Sequence, residues 1–432
     1  MKKMWLLTTS FPFGEGEDSF INTELDELAG RFDITVIACE SPTGKINPSA
    51  RLPEGVRAVR IEPPPSYRYL IDLCAASLSP FVRADIKHAA PKSVKKRALC
   101  YMQAVKYAAK AAGTREGLTR EAKSNGPPDM IYAYWHRPPL LAALRNKGEL
   151  GGPKVICRAH GFDLYEERQR SGYLPFHTWA DGQLDGIYPV SRAGYDYYMQ
   201  RFSVSNPPKA RIARLGCPGA GEAGETTRDG LRYDLGIVPY DTPRHDEFKI
   251  FSCSHLVPLK RVDKIIGALS LAANNMPGRR ITWVHAGGGS EEEALRKQAE
   301  NLPSNVRWEI MGAVPNEAVR RKLAEGFHCF VTVSESEGGV PVSIAEAFSR
   351  GIPAIGTNAG GIPEIINSDT GILLGGDPAP NDIAAAMIEM ADMPDEEYNA
   401  MRRNAYNLWR DEFDAKKNAK VFAEMLEKLM KR

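Results

Sequence analysis

At 432 residues the chain is longer than one ordinary hydrophobic core organises, so two or three domains are expected. Its composition, 43% hydrophobic and 25% charged with a net charge of +2, is that of a soluble globular protein and excludes a globally basic nucleic-acid-binding surface. Seven cysteines stand singly with no C-x-x-C, which argues for a reducing compartment and against a disulfide framework or a structural zinc. The opening MKKMWLLTTSFPFGEG turns polar too soon for a secretory signal. No stretch reaches the ~18 uninterrupted apolar residues of a membrane span, so a cytoplasmic location is expected.

In chain order, Met4–Leu7 reads as a strand ending in the turn-rich Pro12–Gly16. Ile21, Leu25, Leu28 and Ala29 then recur at helical spacing before Gly30, and DITVIAC (33–39) reads as a second buried strand. Strand, glycine loop, helix, strand is a βαβ unit and implies a parallel sheet. Residues 52–68 hold four prolines and read as loop with short extended pieces. From Tyr69 to Lys123 the pattern is helical and basic: Lys92, Lys95, Lys96, Arg97, Lys106 and Lys110 surround Leu99, Tyr101, Met102 and Val105. One or two surface helices explain it, with cationic stems lying over apolar surface. A patch for anionic lipid headgroups is the sharper alternative.

Strands resume at Met130–Tyr134, Lys154–Cys157 and Gly186–Val190, the last followed by a helix with Ser191 as N-cap. Residues 205–248 have the Pro, Gly, Thr and Asp content of a linker or long loops. Strand–helix alternation restarts at Phe248–Cys253 and runs through strands at 281–284, 306–310 and 328–333. The expectation is therefore two α/β halves with the active site in a cleft at the carboxyl ends of their strands.

Four clusters fall at predicted strand ends. Gly14 and Gly16 follow the first strand; RAHGFD (158–163) carries His160, with Arg158 and Asp163 able to tune it if they reach it. Lys260 and Arg261 open a helix against the preference of its dipole, which points to an anionic partner such as a diphosphate. The richest stretch is SESEGGVPVSIAEAFSRGIPAIGTNAGGIPE (334–364). There a strand runs into Gly338, Gly339 and Val340 and then a helix, an arrangement that offers free N–H groups to an anion. Glu337 and Glu346 flank that place and suit sugar hydroxyls. Ser343 and Glu346 also have capping-box spacing, a purely structural alternative.

Taken in order, these clusters resemble the retaining glycosyltransferases of family 4, with the GT-B fold of two Rossmann-like domains. The resemblance is strongest over 250–364, through LVPLKRVDKIIGAL, the glycines 287–289, EGGVPVSIAEAFSRGIPAI and NAGGIPEI. TTSFPFGEGEDSFINTEL and RAHGFDLYEERQRSGYLPF look like a bacterial branch building surface or exported polysaccharides. The resemblance implies an acceptor-binding domain at 1–215, completed by a C-terminal helix from about 413 to 432, and a nucleotide-sugar domain at 216–412. It implies a UDP- or GDP-sugar donor, a glycan or lipid-linked acceptor, and no cofactor or metal. In such an enzyme Lys260 contacts the diphosphate with Arg261 beside it, and the N–H groups of Gly338, Gly339 and Val340 approach phosphate or sugar. Glu346 would hold the ribose, Glu337 the transferred sugar and His160 its C6 hydroxyl, with the Gly14–Gly16 loop approaching the phosphate. The expected mechanism is front-face attack assisted by the leaving phosphate, so no nucleophile is assigned to Glu337.

The chain departs from the family twice. Eight residues separate Glu337 from Glu346 where the family has seven, and His255 stands where an Arg is frequent. A sugar-nucleotide epimerase or phosphorylase of the same fold, and a non-catalytic nucleotide-sugar-binding paralogue, remain as alternatives.

Overall fold

The computed structural model describes residues 1–431 except 15, 42, 90–92 and 220–242. Glu15, Lys92 and much of the predicted linker therefore lie outside the described residues. The chain divides into two compact units, Met1–Arg214 with Ala419–Arg432, and Leu215–Asn418.

The first unit is built on β1 (Lys2–Thr8), β2 (Phe32–Ala38), β3 (Arg57–Arg60), β4 (Met130–Ala133), β5 (Lys154–Ala159) and β6 (Gly186–Pro189). They form one sheet in the order β3-β2-β1-β4-β5-β6 with every pair parallel. Runs such as ITVIA and VICRA are buried on both faces, as a parallel sheet covered by helices requires. The strand order reverses between β1 and β4, the kind of switch point outside which ligands bind.

Its helices are α1 (Asp18–Ala29), α2 (Ser66–Leu78), α3 (Pro80–Ala89), α4 (Val94–Asn125), α5 (Pro138–Arg145), α6 (His177–Gln183) and α7 (Arg192–Arg201). Ser191 caps α7 by accepting from the Gly194 N–H at 3.0 Å, as its sequence position predicts. The basic stretch differs from expectation: it forms three helices, and the 32-residue α4 buries one face against the unit while its lysines stay on the other. The buried face is of small residues that let neighbouring side chains lie against the helix backbone. A Cβ on Gly117 would stand 2.6 Å from Ile61.

The second unit contains β7 (Glu247–Cys253), α8 (Val262–Asn275), β8 (Arg280–Ala286), α9 (Glu292–Ala299), β9 (Val306–Ile310) and α10 (Asn316–Leu323). It continues with β10 (Cys329–Thr332), α11 (Val342–Phe348), β11 (Ala354–Thr357), β12 (Gly371–Leu374), α12 (Pro380–Asp392) and α13 (Asp395–Leu408). The sheet order is β12-β11-β10-β7-β8-β9, again with all pairs parallel. Val262, Ile265, Ile266 and Leu269 are the buried face of α8, as their spacing predicts.

The last helix, α14 (Ala415–Met430), joins the first unit from Ala419 onward, where Phe422, Ala423 and Leu426 pack with Ile21, Leu25 and Tyr132. This start lies later than 413 because Trp409 and Phe413 still belong to the second unit's core.

A buried charge braces the first unit. Arg158 donates to the Tyr132 hydroxyl at 2.8 Å, to the Ala213 carbonyl at 2.7 Å and to the Glu24 carboxylate, and lies 4.4 Å over the Phe422 ring. It thereby joins α1, β4, β5 and α14 and does not reach His160, so its expected tuning role is replaced by a structural one. Arg158→Ala strands the Glu24 carboxylate and should cost about 3–5 kcal/mol. Chemical denaturation followed by fluorescence should show the midpoint of one transition fall. An unchanged unfolding curve would mean that the pair contributes nothing.

Candidate functional site

In the second unit, four loops meet at the carboxyl ends of β7, β8, β10 and β11. The loop after β7 is fixed first by hydrogen bonds to the loop after β8: Ser254 N–H donates to the Ala286 carbonyl at 3.1 Å and Leu256 N–H to that of Gly288 at 3.0 Å. A side-chain relay adds to this. The Trp283 indole donates to the Ser252 hydroxyl (2.9 Å), which lies 2.8 Å from His285 Nδ1, while His285 Nε2 lies 3.1 Å from the Ser254 carbonyl. This chain is satisfied by a neutral imidazole protonated at Nε2. Burial accordingly holds the His285 pKa down to about 4.

The loop then makes a 3-10 turn at Pro258–Lys260, and Arg261 caps α8 with a left-handed backbone, φ 51°. The two cations that the sequence places together diverge. Lys260 Nζ sits 2.5 Å from Glu337 Oε1, with the two side chains only 19% and 13% exposed. Arg261 donates to the Gly376 carbonyl at 2.9 Å and pairs with Asp377 and Glu335 at 3.2 and 3.4 Å. His255 is exposed.

Glu337 to Val340 are held from behind by the NAGG turn. A Cβ on Gly360, whose φ is +55°, would stand 2.0 Å from the Glu337 carbonyl oxygen, and one on Gly361 would stand 2.5 Å from the Val340 nitrogen. Only glycine allows that approach. The Glu335 N–H donates to the Leu259 carbonyl at 2.9 Å, which ties this loop to the one carrying Lys260. Lys260, Glu337, Gly338, Gly339 and Val340 are thus brought together on one rigid bed.

Helix α11 spans seven residues, is capped by Pro341 without a side-chain bond, and has Ser343 inside it. The capping-box alternative for Ser343 and Glu346 is therefore not what forms. So short a helix also contributes less field than the sequence reading assumed. Glu346 is buried and accepts from Asn316 Nδ2 at 2.7 Å. Burial, with the Glu346 charge adding to it, pushes the Cys253 thiol up to about 12.

In the first unit, Gly14 and Gly16 flank the position outside the described residues, and Gly14 N–H donates to the Ser10 carbonyl at 3.0 Å. The free N–H groups of this turn lie earlier and are already filled. Glu17 accepts from the N–H of Thr9 (3.1 Å), Ser10 (2.6 Å) and Phe11 (2.8 Å), and from the Trp135 indole (2.5 Å). Trp135 in turn lies against His160, ring centroids 4.2 Å apart, so the glycine loop and His160 are parts of one cluster. Asp163 spends its carboxylate on the backbone N–H groups of His136 and His160, each at 2.6 Å, and lies 3.9 Å from the His160 ring. Neither His160 ring nitrogen has a hydrogen-bond partner among the described residues. Glu17 and Trp135 were not singled out from sequence. Trp135 follows a predicted strand at its carboxyl end, the position that flagged the other clusters. Beside it, a cavity of about 210 Å³ is lined by Lys106, Lys110, Arg137 and Phe162 among others.

Residues 241–408 match the family model described as "Glycosyl transferases group 1". This stretch is a glycosyl transferases group 1 domain. It contains Lys260, Arg261, Glu337, Gly338–Val340 and Glu346. Over 174 residues the chain is 29% identical to a phosphatidylinositol N-acetylglucosaminyltransferase subunit of Arabidopsis thaliana, covering 39% of this chain and 37% of that protein. Over 271 residues it is 27% identical to the GDP-mannose-dependent monoacylated alpha-(1-6)-phosphatidylinositol monomannoside mannosyltransferase of Corynebacterium glutamicum, covering 59% and 65%. The chain thus spans less than two thirds of the length of either relative. Among solved structures, Anabaena HepE in complex with UDP-glucose matches 99% of this chain with 100% of its own, at a TM-score of 0.62 and 14% identity. Likeness at that identity speaks for the fold alone, and the fold is GT-B.

Two outcomes follow from this bed of loops. His285 titrates near 6.5 when unfolded but only near 4 when folded, so its share of stability is present above pH 6.5 and is lost as pH falls toward 4. That share is about 3 kcal/mol. Burial lowers His136 and His177 in the same direction. Thermal unfolding should become easier across that window, and His285→Gln should flatten the dependence. Gly360→Ala should displace the 337–340 loop, read as faster amide hydrogen exchange at residues 337–340 than in the strands of the same unit.

Proposed function

We propose that this chain is a retaining, family 4 glycosyltransferase. It moves a hexosyl group from a UDP- or GDP-sugar to a glycan or glycolipid acceptor in making cell-surface or exported polysaccharide. The observation that carries the reading is the Lys260–Glu337 pair beside the glycine bed of residues 338–340. A lysine held at the strand ends, mostly shielded from water, is a strong partner for a phosphate once its carboxylate moves aside. The domain match covers this site, and the two relatives are named for transfer to phosphatidylinositol-type acceptors, one of them from GDP-mannose. A uridine diphosphate sugar is the other option.

In this mechanism the diphosphate gains negative charge as the glycosidic bond breaks. Lys260 and the N–H groups of Gly338, Gly339 and Val340 stabilise that charge more than they stabilise the ground state. Glu337, released from Lys260, accepts hydrogen bonds from the sugar being transferred, and Glu346 from the ribose. Arg261 acts through its ties to Gly376, Asp377 and Glu335, which hold the loop that carries Lys260. No metal is required for any of these roles. In the first unit His160, whose ring nitrogens are unpartnered among the described residues, receives a ligand hydroxyl, and the cavity lined by Lys106, Lys110, Arg137 and Phe162 receives part of the acceptor.

Lys260→Ala should weaken UDP or GDP binding by about 10- to 150-fold, the worth of a charge-assisted hydrogen bond. Glu337→Gln should bind the nucleotide at least as well as the wild type, because a competing anion is gone, yet transfer sugar more slowly. Calorimetry with UDP and GDP reads the first quantity, and product formation from a panel of nucleotide sugars the second. NMR of the product should show the donor's anomeric configuration retained. Unaltered nucleotide affinity in Lys260→Ala would sink the assignment of the diphosphate site. C2 epimerisation of the donor, or nucleotide binding without turnover on any donor, would sink the transfer reaction.

A further inference from the structure

Helix α2 is apolar on both sides. Its inward side chains, Tyr69, Leu73 and Ala76, belong to the first unit's core. Its outward side chains are also apolar: Tyr67, Leu70, Ile71 and Leu78 are 69%, 61%, 54% and 69% exposed, with Cys74 exposed between them. Positions 67, 70, 71, 74 and 78 follow the 3.6-residue period, so this is a continuous stripe. The start of α4 extends the exposed apolar surface with Val94, 86% exposed, Ala98 and Met102, 51% exposed, one turn apart. The two helices are joined where the Tyr101 hydroxyl donates to the Ser77 carbonyl.

Charge along this segment is predominantly positive, although Arg68 on α2 pairs with the Glu116 carboxylate of α4. Residues 66–102 contain seven Lys and Arg against two acids, a net of +5 where the whole chain carries +2. Both acids are engaged within the fold. Asp72 is buried and lies 3.6 Å from Arg68, and Asp85 accepts from the Tyr173 hydroxyl and, at 2.9 Å, from the Phe176 N–H. Arg83, Lys87, Lys95, Lys96 and Arg97 are all exposed, and among the described residues none makes an ion pair.

We propose that this face docks on an anionic lipid bilayer, with the α2 stripe seated among the acyl chains near the headgroups and the lysines and arginines on the headgroups themselves. An apolar stripe bordered by cations is the arrangement that lets a helix lie in the interface plane. The same charge opposes a second copy as occupant, because pairing the face with itself would bring like charges together. Among the described residues no helix is long and apolar enough to cross a membrane, so the contact is peripheral. The basic patch expected from the sequence is thereby relocated. Lys106 and Lys110 line the cavity, and the membrane face is α2 with the first turns of α4. The inference stands apart from glycosyl transfer, since it rests on a surface rather than on the nucleotide site.

The test is co-sedimentation of the full chain with vesicles of phosphatidylcholine alone or mixed with phosphatidylglycerol. Binding should appear with phosphatidylglycerol and weaken as salt is raised. Leu70→Glu/Ile71→Glu/Leu78→Glu should lose more than about tenfold in vesicle affinity, because it replaces exposed side chains that make the hydrophobic contribution. Its melting temperature and nucleotide affinity should stay those of the wild type. Lys95→Glu/Lys96→Glu should weaken binding only to the anionic vesicles. Absence of wild-type binding to phosphatidylglycerol vesicles would overturn the proposal, as would full binding by the triple glutamate variant. A wild-type dimer in sedimentation velocity that the triple variant abolishes would also overturn it, by assigning the face to a second copy.

Discussion

Backbone against backbone, at distances no side chain permits, is the constraint on which the second unit's site depends. A Cβ on Gly287 would lie 1.9 Å from the Ser254 carbonyl oxygen, and one on Gly289 would lie 2.2 Å from that of Leu256. Gly360 and Gly361 press as closely on residues 337–340. Two glycine turns thus each support a chemistry-bearing loop, and the Glu335–Leu259 hydrogen bond links the two supported loops. The positions of Lys260 and Glu337 follow from this packing. Preorganisation of this kind matters for charge stabilisation, since donors already in place need not reorganise when charge develops.

The first unit reaches rigidity by a different route. Its loops are tied by buried carboxylates: Glu17 gathers the turn after β1, Asp163 joins the turns after β4 and β5, and Glu24 anchors Arg158. Each carboxylate is costly to bury and is retained with its donors nearby. The polar groups left over lie together: the His160 ring sits against Trp135 and Tyr134, and its two nitrogens, the Tyr134 hydroxyl and the His136 ring nitrogens are unmatched among the described residues. A group of unsatisfied polar atoms is where ligand hydroxyls would restore the balance.

How far sequence alone could reach depended on whether a signal was local. The parallel sheets were legible because runs such as ITVIA and KIFSC are too apolar for anything but strands covered on both faces. Gly338, Gly339 and Lys260 were legible because loop chemistry at strand ends is local too. The α2–α4 region was misjudged because counting lysines by position cannot say which side of a helix they occupy. Both glycines and most alanines in the middle of α4 face inward, whereas the exposed apolar stripe of α2 has the same period as a buried face. Glu17 and Trp135 were missed for a related reason: their meaning lies in contacts with residues far along the chain. Arg261 was read as Lys260's partner from adjacency, yet a left-handed residue between a 3-10 turn and a helix sends neighbouring side chains apart.

The Lys260–Glu337 pair also explains how a cation is kept charged while mostly shielded from water. An unpaired ammonium at 19% exposure would bear a desolvation cost. With Glu337 at 2.5 Å the charge is matched within the protein. In the proposed reaction an incoming diphosphate would exchange one anion for another, and the net cost of binding would fall because the lysine is already desolvated and oriented. The displaced carboxylate is then freed within reach of the place where a sugar attached to that diphosphate would lie. One ion pair would in this way keep the donor site charged and ready, and would release a hydrogen-bond acceptor for the sugar only when the phosphate has arrived.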